Sequence, residues 1–85
     1  MTRREQKIAR ALLDVAHNLD GGQIGEILLH AEVNLLVTPT ATLAEFNSVL
    51  ALCDARGWLI GVPGKFGGRK WNLSDAGSAA RLEMQ

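Results

Sequence analysis

Along most of the first 57 residues, apolar side chains return at three- and four-residue steps, and beyond them the pattern shifts to short pleated runs. The first helix is expected to start at Thr2, whose hydroxyl can cap the first turn while Glu5, three residues on, reaches back to complete a capping box. Ile8, Leu12, Val15, Ala16 and Leu19 then form one apolar stripe, and Asp20-Gly21-Gly22 stops the helix. A second helix is expected from about Gln23 to Leu35, with Ile24, Ile27, Leu28, Ala31 and Leu35 as its buried face and Glu26 and Glu32 turned away. Leu35-Leu36-Val37 reads alternatively as a short extended stretch, because Pro39 disfavours helical geometry at Thr38.

The third helix follows Thr38-Pro39-Thr40-Ala41. Thr42 and Glu45 repeat the capping-box spacing, Leu43, Phe46, Val49, Leu50 and Cys53 make the buried face, and Gly57 supplies a C-terminal glycine stop. Trp58-Leu59-Ile60-Gly61-Val62 suits a strand, Pro63 to Arg69 a basic turn, and Lys70-Trp71-Asn72-Leu73 the returning strand. On that pairing Trp58 and Trp71 are expected to face each other across the hairpin. Ser74 or Asp75 can cap a short closing helix through Ala79, Ala80, Leu82 and Met84. The expected fold is therefore mainly α with a small antiparallel hairpin, an α+β arrangement in a single domain over residues 1–85.

Two segments carry a resemblance to known proteins. Phe46-x-x-x-Leu50-x-x-x-Asp54-x-x-Gly57-Trp58-Leu59 closes a helix on glycine and runs straight into a strand. Lys70-Trp71-Asn72-Leu73-Ser74-Asp75-Ala76-Gly77 resembles the ending of the second wing strand in many bacterial regulators. Together with the order of three helices, strand, basic turn, strand and short C-terminal helix, they are similar to the winged helix-turn-helix superfamily. The resemblance implies a winged helix with a hairpin wing and, as function, DNA binding in transcriptional regulation. A superfamily of this kind specifies fold better than activity.

Charge alters that picture. The formal net charge is zero, but residues 1–10 carry +3, residues 11–54 carry −6 with no Lys or Arg, and residues 55–85 carry +3. In a helix-turn-helix the outward residues of the third helix enter the major groove. Here Thr42, Asn47 and Ser48 can hydrogen-bond to phosphates or base edges, yet no Arg is present to read guanine. The cations lie elsewhere, in Lys65, Arg69 and Lys70 of the turn and in Arg3, Arg4, Lys7 and Arg10 of the first helix. If all seven met phosphates, the logarithmic salt slope would be about −6. The expected binding residues are Lys65, Arg69, Lys70, Arg3, Arg4, Lys7, Thr42, Asn47 and Ser48, acting on double-stranded DNA, with a homodimer as the remedy for weak single-domain binding. The alternative is protein–protein interaction or dimerisation through the uncharged third-helix face of Ala44, Asn47, Ser48, Ala51 and Ala55. Phe66, in the turn, either folds back on the hairpin or anchors a partner.

Catalysis finds no support in the sequence. Cys53 falls on an apolar face, where a buried thiol is the ordinary outcome. His17 and His30 lack neighbours at metal-ligand spacing and read as helix-end or surface residues. Gly64-Lys65 lacks the spacing of a phosphate-binding loop. No catalytic residue, metal, cofactor or small-molecule substrate is expected. One cysteine, no secretory leader pattern and no apolar run of membrane-spanning length point to the cytoplasm.

Overall fold

The helix α1, Arg3–His17, runs through the centre of the structure and touches α2, α3, α4 and the sheet. The computed structural model describes residues 1–19 and 22–84; the expected glycine stop at Asp20-Gly21 lies outside them. Both halves of the first capping box form, with Glu5 N–H donating to the Thr2 hydroxyl at 3.1 Å and Thr2 N–H donating to the Glu5 carboxylate at 2.8 Å. The buried stripe is wider than the expected one, because Ala9, Ala11 and Leu13 join Ile8, Leu12 and Ala16 in the core. A helix packed against three others needs a broad apolar face.

The second segment departs from expectation twice. Ile24–Gly25 is a short strand, β1, and α2 covers only Glu26–Asn34. Ile24 pairs with Trp71 and Gly25 with Lys70, so the backbone groups expected inside a helix are satisfied by the sheet instead. The buried face of α2 is also not the expected one. Leu29 and Val33 are fully buried, with Val37 beyond the helix, whereas Ile27 is 92%, Leu28 57% and Leu35 78% exposed. Two apolar sets at four-residue spacing compete for the core here, and the one carrying Leu29 wins. Residues 35–37 continue as turns, not as an extended stretch.

Helix α3, Leu43–Ala55, has its capping box complete and buries Phe46, Val49, Leu50 and Cys53. Leu43 is a correction, since it is 62% exposed at the first helical position, ahead of the turn that packs inward. Gly57 then adopts φ +71°, a left-handed conformation that favours glycine, and the chain enters β2, Leu59–Pro63.

Strand β3, Arg69–Leu73, is central in a three-stranded antiparallel sheet of order β1-β3-β2, so the expected two-stranded hairpin gains an edge. Trp71 lies opposite Gly61, so the expected facing of Trp58 and Trp71 does not occur, and Trp58 precedes the paired strand. The pairing needs glycine there, because a Cβ at Gly61 would sit 2.8 Å from the Trp71 ring. Trp58 lies instead beneath the Arg56 guanidinium, 5.1 Å from its ring centroid. Ser74 caps α4, Asp75–Glu83, and Arg81 on that helix donates to Asp14 of α1 at 2.8 Å, fastening the C-terminal helix to the first. Four helices and one antiparallel sheet among the described residues make an α+β fold.

Candidate interaction surface

The outer face of α3 exposes Ala44, Asn47, Ser48, Ala51 and Ala55. Its two ends are flanked by cations from other elements, and both are engaged by carboxylates of α3 itself. At the N-terminal end Arg4 donates through Nε to Glu45 at 3.0 Å and reaches the Thr40 carbonyl at 3.2 Å. Glu45 also accepts from the Thr42 N–H, and the Arg4 hydrogen bond, more than any other contact, holds its carboxyl at about 2. The Thr42 hydroxyl is itself occupied in the cap. Of the expected phosphate ligands, then, Arg4 and Thr42 are committed to internal contacts.

At the C-terminal end Arg69 leaves β3 beside Trp71, 5.9 Å from that ring, and lies 3.7 Å from Asp54. The pair is solvent-exposed, 58% and 44%, and so contributes about 0–1 kcal/mol. A phosphate could draw Arg69 away at little cost. A groove of about 250 Å³ joins Arg69 to Asn47, Ala51 and Asp54, with Glu26 and Trp71 at its wall. Trp71 donates its indole N–H to Glu26 at 3.0 Å, which anchors the start of α2 to the middle strand.

The turn between β2 and β3 is tight. Gly64 N–H donates to the Gly68 carbonyl at 2.8 Å, and Gly67 and Gly68 take φ values of +86° and +67°. This geometry pushes Lys65 and Phe66 outward. Phe66 is 95% exposed and does not fold back on the hairpin; the Lys65 ammonium lies 5.9 Å from its ring. Lys65 and Lys70 are both exposed and form no ion pair among the described residues.

The N-terminal cations do not join this set. Arg3, Lys7 and Arg10 border α4 near Glu83 and Met84, and Lys7 and Arg10 also border Leu36 to Thr38. Arg10 lies 3.9 Å from Asp14. The two grooves that these residues line hold none of the cations of the turn.

Sequence reasoning missed a second surface. Ile27, Leu28 and Ala31 of α2 border a groove of about 750 Å³ with Phe66 and the backbone of the turn. On its other side Leu28 opens a second groove with Glu32, Leu35 and Leu36, closed by Val15 and Leu19 of α1. The signal was present in the sequence: α2 is apolar on more than one face, and a helix apolar all round has a second face to cover.

His30 and Cys53 both pack into the fold. His30 is half-buried, not a surface residue: its Nε2 lies 2.8 Å from the Ala41 carbonyl and its ring stacks on Phe46 at 4.5 Å. Burial pushes the Cys53 thiol up to about 11. No cluster of His, Cys, Asp and Glu fit to hold a metal occurs among the described residues. No helix among them is long and apolar enough to cross a membrane. Comparison with known proteins finds no matching family model, no matching curated protein and no matching solved structure.

Proposed function

We propose that this chain is a winged-helix DNA-binding protein, a small transcriptional regulator whose duplex contacts come chiefly from the wing. The order of three helices, strand, basic turn, strand and closing helix supports the winged-helix reading, with β2 and β3 as the wing. One juxtaposition supports the function above all. Arg69 of the wing shares a groove with Asn47 of α3, with Lys65 and Lys70 exposed further out on the same hairpin. A duplex laid against α3 meets Asn47 and Ser48 as hydrogen-bonding groups for base edges, and Arg69 and the two lysines as phosphate contacts. The wing glycines let a backbone approach closely.

Arg3, Arg4 and Lys7 drop to a lesser role in this reading. Arg4 is held by Glu45, and Arg3 and Lys7 border α4. With three wing cations left, the affinity of one copy for DNA is low and strongly salt-dependent. Binding of a labelled mixed-sequence duplex at low salt, weakened at least tenfold by the double substitution Lys65→Ala and Lys70→Ala, tests the proposal. Equal binding by both proteins would overturn it.

A second reading, protein interaction through α3, is favoured by one observation: both cations at the ends of the α3 face are engaged by its own carboxylates, leaving an uncharged, small-residue surface. It predicts that Ala51→Arg abolishes a protein contact, whereas in the DNA reading the added cation strengthens duplex binding.

A further inference from the structure

We infer that the exposed face of α2 is a homodimer interface, with a second copy of this chain as its occupant. Ile27, Ala31 and Leu35 follow one another at four-residue steps along α2 and its C-cap, and all three are exposed. Four-residue neighbours lie on one helical face. Ala31 stands midway between two large side chains, each four residues away. If a two-fold axis passes over Ala31, the two α2 helices cross at their smallest exposed residues. Ile27 of each copy then meets Leu35 of the other. The face is thus complementary to itself, as an isologous contact requires.

Area supports the same occupant. Ile27 is 92%, Leu28 57%, Leu35 78%, Leu36 59% and Phe66 95% exposed. At roughly 150–200 Å² for each large side chain, these fractions give an apolar surface of about 600 Å². That reaches the upper end of the largest apolar patch on an ordinary monomer, about 300–600 Å². One side of a standard interface buries about 800 Å², of which somewhat over half is apolar, so the patch suffices for a stable dimer. The grooves flanking Leu28 supply relief on both sides: the Phe66 ring and the turn wall one, and α1 walls the other.

Lys65 and Lys70 border the patch beside the start of α2, in the same groove as Glu26. The dimer places two wings in one particle, which doubles the phosphate contacts available to a duplex. The interface is independent of the DNA reading, since its test uses no nucleic acid.

The full chain, purified without DNA, is examined by sedimentation equilibrium and by cross-linking of Ala31→Cys. The native Cys53 is buried with its thiol pushed up to about 11, so it stays silent under mild oxidation. The expected results are a dimer for the unaltered chain, a disulfide-linked dimer for Ala31→Cys, and none for Ser48→Cys on the α3 face. Ile27→Asp, at a position already in solvent, leaves the thermal midpoint of dilute protein unchanged and weakens the dimer at least tenfold, because each copy contributes the residue once. A monomer at about 100 μM, a concentration at which even a weak micromolar dimer is largely formed, overturns the inference. So does a dimer that Ile27→Asp leaves intact, or one that cross-links through Ser48→Cys and not Ala31→Cys. A dimer with no affinity for DNA would sink only the DNA reading.

Discussion

Glu45 shows how one residue can serve two elements and give up a third role. Its carboxylate caps α3 through the Thr42 N–H and binds Arg4 of α1, so it ties two helices at their N-terminal ends. Its folded-state carboxyl lies near 2, below the ordinary 4.5. A depressed carboxyl stabilises the fold above the unfolded value and loses that contribution as pH falls through the folded one. Thermal midpoints measured between pH 5 and pH 2 should therefore fall less for Glu45→Gln than for the unaltered chain, with the variant less stable at neutral pH. Parallel curves would remove the Arg4–Glu45 pair from the account. The capping boxes were legible in the sequence because they are local, three residues apart. The Arg4 contact was not, because it joins residues 41 positions apart and nothing in either neighbourhood marks it.

At the scale of elements, α2 carries the main departure from the sequence reading. Periodicity located a helix here but pointed to the wrong apolar face, since Ile27, Ala31, Leu35 and Leu29, Val33, Val37 share the same spacing. Packing against α1 and the sheet chose the second. Leu29→Ala should cost about 2–5 kcal/mol in urea unfolding, as a fully buried leucine does. Ile27→Ala in dilute protein should stay within about 0.5 kcal/mol, the range of surface positions. Comparable losses at the two positions would mean that the helix is rotated from this structure. Strand β1 was likewise invisible locally, because two residues carry no period and their partners, Trp71 and Lys70, lie far along the chain. The hairpin was readable, since its β-rich segments and glycine turn sit side by side. Its register was not, because Trp71 meets Gly61 through a steric fit that only the paired strands reveal.

For the whole molecule, zero net charge conceals a division of surfaces. The β2–β3 hairpin borders two grooves, one in which Arg69 lies with Asn47 of α3 and one along the apolar ridge of α2, while Arg3, Lys7 and Arg10 lie by α4. The sequence made the seven cations look like one binding set. Folding separates them and binds Arg4 internally, leaving Lys65, Arg69 and Lys70 as the functional cations of the proposed DNA face. The most direct measurement is the affinity for a mixed-sequence duplex across salt concentration, for the unaltered chain and for Lys65→Ala with Lys70→Ala. Three phosphate contacts predict a log–log slope of about −3 per protomer, falling to about −1 when two cations are removed. No salt-sensitive binding at micromolar protein, or a slope that the double substitution leaves unchanged, would contradict the wing as the site of DNA contact.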